Sequence, residues 1–149
     1  MKLRQYLAES AQKMTKAGVD SPRLCAHVLV RQVLGLDRIA CVTQADRELS
    51  AGELEALDAL VARRAEGEPL AHITGSREFY GRDFLVTPHT LIPRPETELL
   101  VEKALEAAAR LGSGGGVTQH APYFADLGTG SGCIGITLAL ELPRWRGLL

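Results

Sequence analysis

The stretch Asp126-Leu127-Gly128-Thr129-Gly130-Ser131-Gly132 is the part of this 149-residue sequence best suited to chemistry. Alternating glycines let a backbone take positive φ and leave bare peptide groups against which a ligand can lie. The stretch follows the strand-like run Tyr123-Phe124-Ala125-Asp126-Leu127 and precedes an apolar helical run from Cys133 to Leu142. Strand, tight turn and helix start together place a ligand at the carboxyl edge of an open α/β sheet, with the first helix amides facing a negative group. The glycines alone leave the cofactor open, because Gly130-x-Gly132-x-x-Gly135 also satisfies the dinucleotide pattern.

Other reactive side chains give weaker signals. Arg94, Glu96 and Glu98 are first of all charges at a helix start, where acidic groups contribute about 0.3–1 kcal/mol each. His27, His72, His89 and His120 lack metal-ligand spacing, so no metal site is expected. Cys25, Cys41 and Cys133 are odd in number and widely spaced, as reduced thiols of a cytosolic protein would be. Phe79, Tyr80 and Phe84 read as hairpin packing.

Two kinds of element must position these residues. Up to residue 68 the chain reads as a helical bundle. Leu3, Leu7, Ala11 and Met14 form one apolar face, with Gly18 at the C-terminal cap position. Asp20-Ser21-Pro22 supplies N-cap candidates for a central helix carrying Leu24, Val28, Leu29 and Val33 and ending at Gly35. A short helical piece is expected around Asp37–Val42. Ser50-Ala51-Gly52-Glu53 matches a capping box, opening a helix along Leu54, Leu57 and Val61 that stops at Gly67. From residue 69 to 92 the expectation is a hairpin and extended linker, with strands at 78–80 and 84–86 around the turn Gly81-Arg82-Asp83. Pro95 then begins a helix with a stripe of Leu100, Ala104, Ala107 and Leu111, followed by a flexible link, Gly112 to Gly116.

The pattern D-L-G-T-G-S-G resembles motif I of class I S-adenosylmethionine-dependent methyltransferases, which turns the reading away from NAD. Glu68-Pro69-Leu70-Ala71-His72-Ile73-Thr74-Gly75, Phe79-Tyr80-Gly81, Phe84-Leu85-Val86 and Leu91-Ile92-Pro93-Arg94-Pro95-Glu96-Thr97-Glu98 sharpen the likeness. Together they resemble the HemK/PrmC family, the glutamine-N5 methyltransferases of peptide-chain release factors. The resemblance implies a helical release-factor-recognition domain over 1–68, a hairpin linker over 69–92, and the start of a Rossmann-like methyltransferase domain over 93–149. It also implies S-adenosylmethionine held by Gly128, Thr129, Gly130, Ser131 and Gly132, with Asp126, Arg94 and Glu96 beside it. The family's N-P-P-Y motif, which binds the glutamine amide, does not occur in the sequence, so no catalytic residue is assigned. The expectation is therefore an N-terminal portion of a longer enzyme, inactive by itself, stopping as a second strand begins.

Composition fits that reading. Hydrophobic residues make up 46% and charged residues 23%, ordinary for a folded chain. Seventeen basic and eighteen acidic residues leave a net charge of −1, without the basic excess of a nucleic-acid binder. That balance, with the upstream segment, argues against an N6-adenine methyltransferase sharing the same turn. Neither a bilayer-spanning run nor a signal-peptide core is present, so a cytoplasmic protein without membrane contact is expected. The remaining rivals are a non-enzymatic protein-binding module and an NAD-dependent oxidoreductase.

Overall fold

The computed structural model describes residues 1–113 and 121–149. Contacts divide the chain into two compact units, Met1–Thr74 and Gly75–Leu149. Gly114–Gly116 of the expected link, and His120, lie outside the described residues.

The first unit is helical: α1 (Leu3–Lys16), α2 (Pro22–Leu34), α3 (Arg38–Thr43), α4 (Ala51–Ala65) and α5 (Leu70–Thr74). Helix α1 has no side-chain cap. Instead, the amides of Leu3 and Arg4 donate to the carbonyls of Arg47 and Ala45, at 2.9 and 3.0 Å, so the loop before α4 satisfies them. Gly18 takes the left-handed conformation just past α1, and Gly35 does the same at the end of α2. The capping box is present: Ser50 Oγ accepts from the Glu53 amide, and Glu53 Oε2 accepts from the Ser50 amide at 2.8 Å. That amide is the chief cause holding the Glu53 carboxyl below its ordinary value. Asp37 caps α3, its carboxylate accepting from the Ala40 amide at 2.7 Å.

Three expectations need correcting here. Ser21 is the N-cap of α2, but it is left-handed (φ +50°) and its hydroxyl makes no cap bond; Pro22 at the first helical position does the starting. Leu24 is exposed, and α2 buries Cys25, Ala26, Leu29 and Val30 instead. The segment 70–74 is helical, not extended, and Ile73 joins the core with Leu3, Met14, Leu29, Leu57 and Val61.

The second unit contains the hairpin β1 (Ser76–Phe79) and β2 (Arg82–Leu85), a 3₁₀ turn at Pro95–Thr97, α6 (Glu98–Ser113), β3 (Tyr123–Ala125), α7 (Cys133–Glu141) and β4 (Arg146–Leu148). The hairpin turn is Tyr80-Gly81, one step earlier than expected, and Arg82 and Asp83 pair within β2. Tyr80 and Gly81 have φ of +53° and +72°, matching the right-handed twist that two-residue hairpins require. Two carboxylates hold this turn: Glu98 accepts from the Tyr80 amide at 3.0 Å, and Glu78 from the Gly81 amide at 2.6 Å. Phe79 and Phe84 meet edge to face, 6.1 Å between ring centres, and pack with Val101, Cys133 and Leu138.

Helix α6 buries a different stripe from the expected one. Val101 and Ala108 are buried, whereas Leu100, Ala107 and Leu111 are exposed. Strands β3 and β4 are parallel, Phe124 opposite Gly147, so β3-α7-β4 is a strand-helix-strand crossover.

Burying Ile73 contributes about 1.5–3 kcal/mol. A polypeptide of residues 1–74 should therefore fold cooperatively, and one of residues 1–68 should unfold at markedly lower urea. Equal midpoints would show that α5 adds nothing to the bundle.

A second expectation concerns pH. Burial pushes the Tyr6 phenol well up from its ordinary value, and the bond it donates to Asp58 (2.9 Å), with that carboxylate's charge, acts in the same direction. The folded chain thus holds this proton more tightly than the unfolded chain. The contribution is complete below about pH 10 and is lost as the pH rises beyond it. Tyr6→Phe should cost about 0.5–1.5 kcal/mol at neutral pH and remove this part of the alkaline decline in thermal unfolding.

Candidate functional site

The turn Leu127–Gly132 leaves the carboxyl end of β3 and enters α7 at its N-cap, Gly132. Its three glycines, Gly128, Gly130 and Gly132, have φ of +79°, +58° and +79°. All five residues expected to cradle a cofactor therefore lie in one turn at the carboxyl end of β3, its three glycines left-handed and Thr129 and Ser131 between them not. The Gly132 amide donates to the Thr129 carbonyl at 2.8 Å and closes the turn's second half. Among the described residues no hydrogen bond takes the amides of Gly128, Gly130 or Ser131.

The space beside the turn differs from one glycine to the next. A Cβ at Gly128 would meet nothing within 4 Å, and one at Gly130 only the Gly128 carbonyl at 3.9 Å. The outer side of the turn is thus open, with free donors and no side chain in the way. At Gly132 a Cβ would stand 2.7 Å from Ile136 Cδ1, so this glycine serves packing within the protein. Thr129 Oγ1 is buried without a hydrogen-bond partner. Bare peptide groups, open space and an unpartnered hydroxyl fit a polar organic cofactor lying across the turn.

Asp126 sits between β3 and the turn. Its Oδ2 accepts from the Gly135 amide at 2.9 Å, in the first turn of α7. Gly135 lies so close to the sheet that a Cβ would overlap Leu149 and stand 3.0 Å from Asp126 Oδ2. Both ends of α7 are held, since Arg82 of β2 pairs with Glu141 at 2.6 Å and also donates to the Tyr80 carbonyl.

Arg94 and Glu96 are exposed on the segment entering α6. Neither side chain makes a hydrogen bond or ion pair among the described residues; the Arg94 carbonyl accepts from the Thr97 amide at 3.0 Å. Glu98, read as a helix-dipole charge, binds the hairpin turn instead. The Glu98–Tyr80, Arg82–Glu141 and Asp126–Gly135 links were not foreseen; only the last had a sequence signal, the glycine three residues past the turn.

Comparison with known proteins bears on both units. A family model of the PrmC N-terminal domain matches residues 5–75. The likeness continues through the second unit. A "Release factor glutamine methyltransferase" of Koribacter versatilis is 46% identical over 98% of this chain and 49% of its own length. One of Nitratidesulfovibrio vulgaris, with the same name, is 47% identical over 98% of this chain and 46% of its own length. A "Bifunctional methyltransferase" of Rickettsia conorii is 36% identical over 95% of this chain and 30% of its own length. The chain spans about half the length of the release factor methyltransferases it matches. The PrmC resemblance drawn from the upstream segment and the glycine turn is thereby borne out across nearly the whole chain.

Gly130→Val should strain the turn by about 1–3 kcal/mol, because a β-branched residue is strongly disfavoured at positive φ. Ser131→Ala removes only a hydroxyl and should leave the turn's hydrogen exchange near that of the parent. The valine variant should speed exchange around residues 127–136 without affecting the helical unit. Equal exchange in both variants would mean that the turn does not depend on its left-handed backbone.

Proposed function

We propose that this chain serves methyl transfer from S-adenosylmethionine to the side-chain amide nitrogen of a glutamine in a peptide-chain release factor. The glycine turn at the carboxyl edge of β3 carries this reading, together with the relatives' shared name over nearly the whole chain. The helical unit would recognise the release factor, and the parallel crossover would be the beginning of a Rossmann-like sheet. Gly128, Thr129, Gly130, Ser131 and Gly132 would hold the cofactor, chiefly through backbone. Arg94 and Glu96 stand exposed at the entry to α6 and would approach it only from the side.

S-adenosylmethionine supplies a methyl group on a positively charged sulfur. The glutamine nitrogen is a poor nucleophile because its lone pair is delocalised into the carbonyl. Positioning therefore matters more than a strong base. The turn's part is to fix one reactant by rigid peptide groups that need no rearrangement. The acceptors that orient the glutamine NH₂ belong to the N-P-P-Y motif of the family, which these 149 residues do not include. Three free, buried cysteines suit a reducing compartment, and no helix among the described residues is long and apolar enough to cross a membrane. Both support a cytoplasmic site of action.

Joining residues 1–149 to the remaining C-terminal part of the Koribacter versatilis relative tests the reading. The chimera should place labelled methyl on a release-factor glutamine, and residues 1–149 alone should give only background. A folded chimera that bound NAD but not S-adenosylmethionine would overturn the proposal.

A further inference from the structure

We propose that Asp126 is a positioning residue: its carboxylate shapes the glycine turn by holding the start of α7, and acts on a bound cofactor only through that turn. The inference rests on the S-adenosylmethionine reading for its meaning, but its evidence lies within the chain.

The first amides of a helix have no partner inside the helix. Serine, threonine, aspartate or asparagine at the N-cap ordinarily takes one of them. At α7 the N-cap is Gly132, which has no side chain to offer. The missing acceptor comes from across the turn, where Asp126 Oδ2 takes the third helical amide, that of Gly135, at 2.9 Å. Asp126 follows β3 directly, and its own amide donates to the Leu148 carbonyl of β4 at 2.8 Å. One residue thus fastens the sheet through its backbone and the helix through its side chain. The six residues between these anchors, Leu127 to Gly132, make up the whole turn.

Gly135 is matched to the same contact. A Cβ there would stand 3.0 Å from Asp126 Oδ2 and 3.2 Å from Asp126 Cβ, tighter than ordinary packing. Only glycine allows the carboxylate to reach the amide without displacement. The acid and the last glycine of D-L-G-T-G-S-G-x-x-G are therefore one device, and the oxygen it uses is turned toward the protein. Its geometry asks for an acceptor rather than a charge, which makes asparagine the informative substitution.

Amide hydrogen exchange on the 149-residue chain, without ligand, tests this. Asp126→Ala should speed exchange at Gly135 and across residues 127–136 at least tenfold, with residues 1–74 unchanged. Asp126→Asn, which keeps an acceptor oxygen, should restore protection to within about threefold of the parent. If Asp126→Ala left the turn protected, or if asparagine exchanged as fast as alanine, the proposal would fail. Even if alanine unfolded α7 altogether, rescue by asparagine would still decide between accepted bond and charge. S-adenosylmethionine calorimetry on the Koribacter chimera separates the underlying reading: Asp126→Asn should bind like the parent and Asp126→Ala at least tenfold more weakly. Asparagine binding as poorly as alanine despite a protected turn would make Asp126 a direct ligand and overturn the proposal. A parent chimera that bound none would sink the cofactor reading and leave the exchange result standing.

Discussion

Pairing β3 with β4 in parallel commits the chain between them to a crossover, because a strand running the same way as its neighbour must be entered from the far end. Within the second unit nearly everything else follows from that. Helix α7 has to lie against the sheet to bring the chain back, and at Gly135 and Gly147 it and β4 lie too near their neighbours to admit a Cβ without a shift. A Cβ at Gly147 would stand 2.5 Å from the Phe124 ring, on the opposed residue of β3. The chain must then reverse sharply between Ala125 and Cys133, and it does so through three left-handed glycines. Peptide groups left without partners by that reversal are what a ligand can use. The candidate site is thus a by-product of the parallel connection, placed where the connection has the least side chain.

How much of this is legible in the sequence depends on how local the cause is. Capping is decided by neighbours: Ser50 with Glu53, Asp37 with Ala40, and Gly35 at a helix end all stand where their side chains or their freedom of φ require. Burial on a helix that has apolar residues on more than one face is decided elsewhere. In α6 the stripe through Leu100, Ala104, Ala107 and Leu111 is as regular as the one through Val101, Ala104 and Ala108. Only the Phe79–Phe84 pair and α7, distant in sequence, select the second. Leu24 illustrates the same limit in α2, where Cys25 and Ala26 occupy the inner face.

The site divides along the same line. The glycine turn could be read from seven consecutive residues because its conformation is a property of those residues. The polar links around it could not. Glu98 reaches a backbone amide eighteen residues earlier, and Arg82 a carboxylate fifty-nine residues later. Misplacing the hairpin turn by one residue had a comparable origin. Tyrosine at φ +53° is unfavourable on its own, and Gly81-Arg82-Asp83 has the better local chemistry. Two carboxylates, one of them from α6, stabilise Tyr80-Gly81 enough to reverse the preference.

A cradle made of peptide groups also sets the kind of selectivity the turn can have. Backbone amides favour negative or polar groups and respond to shape, but they cannot tell one adenosyl or nucleotide ligand from another by side-chain chemistry. That is why the dinucleotide pattern and the methyltransferase pattern overlap at Gly130 and Gly132. Discrimination has to come from side chains placed around the turn by other elements. Within the turn the Thr129 hydroxyl is unpartnered, whereas the Asp126 carboxylate just before it is engaged with α7. The turn itself therefore supplies rigidity and hydrogen-bond donors, and not the identity of the ligand.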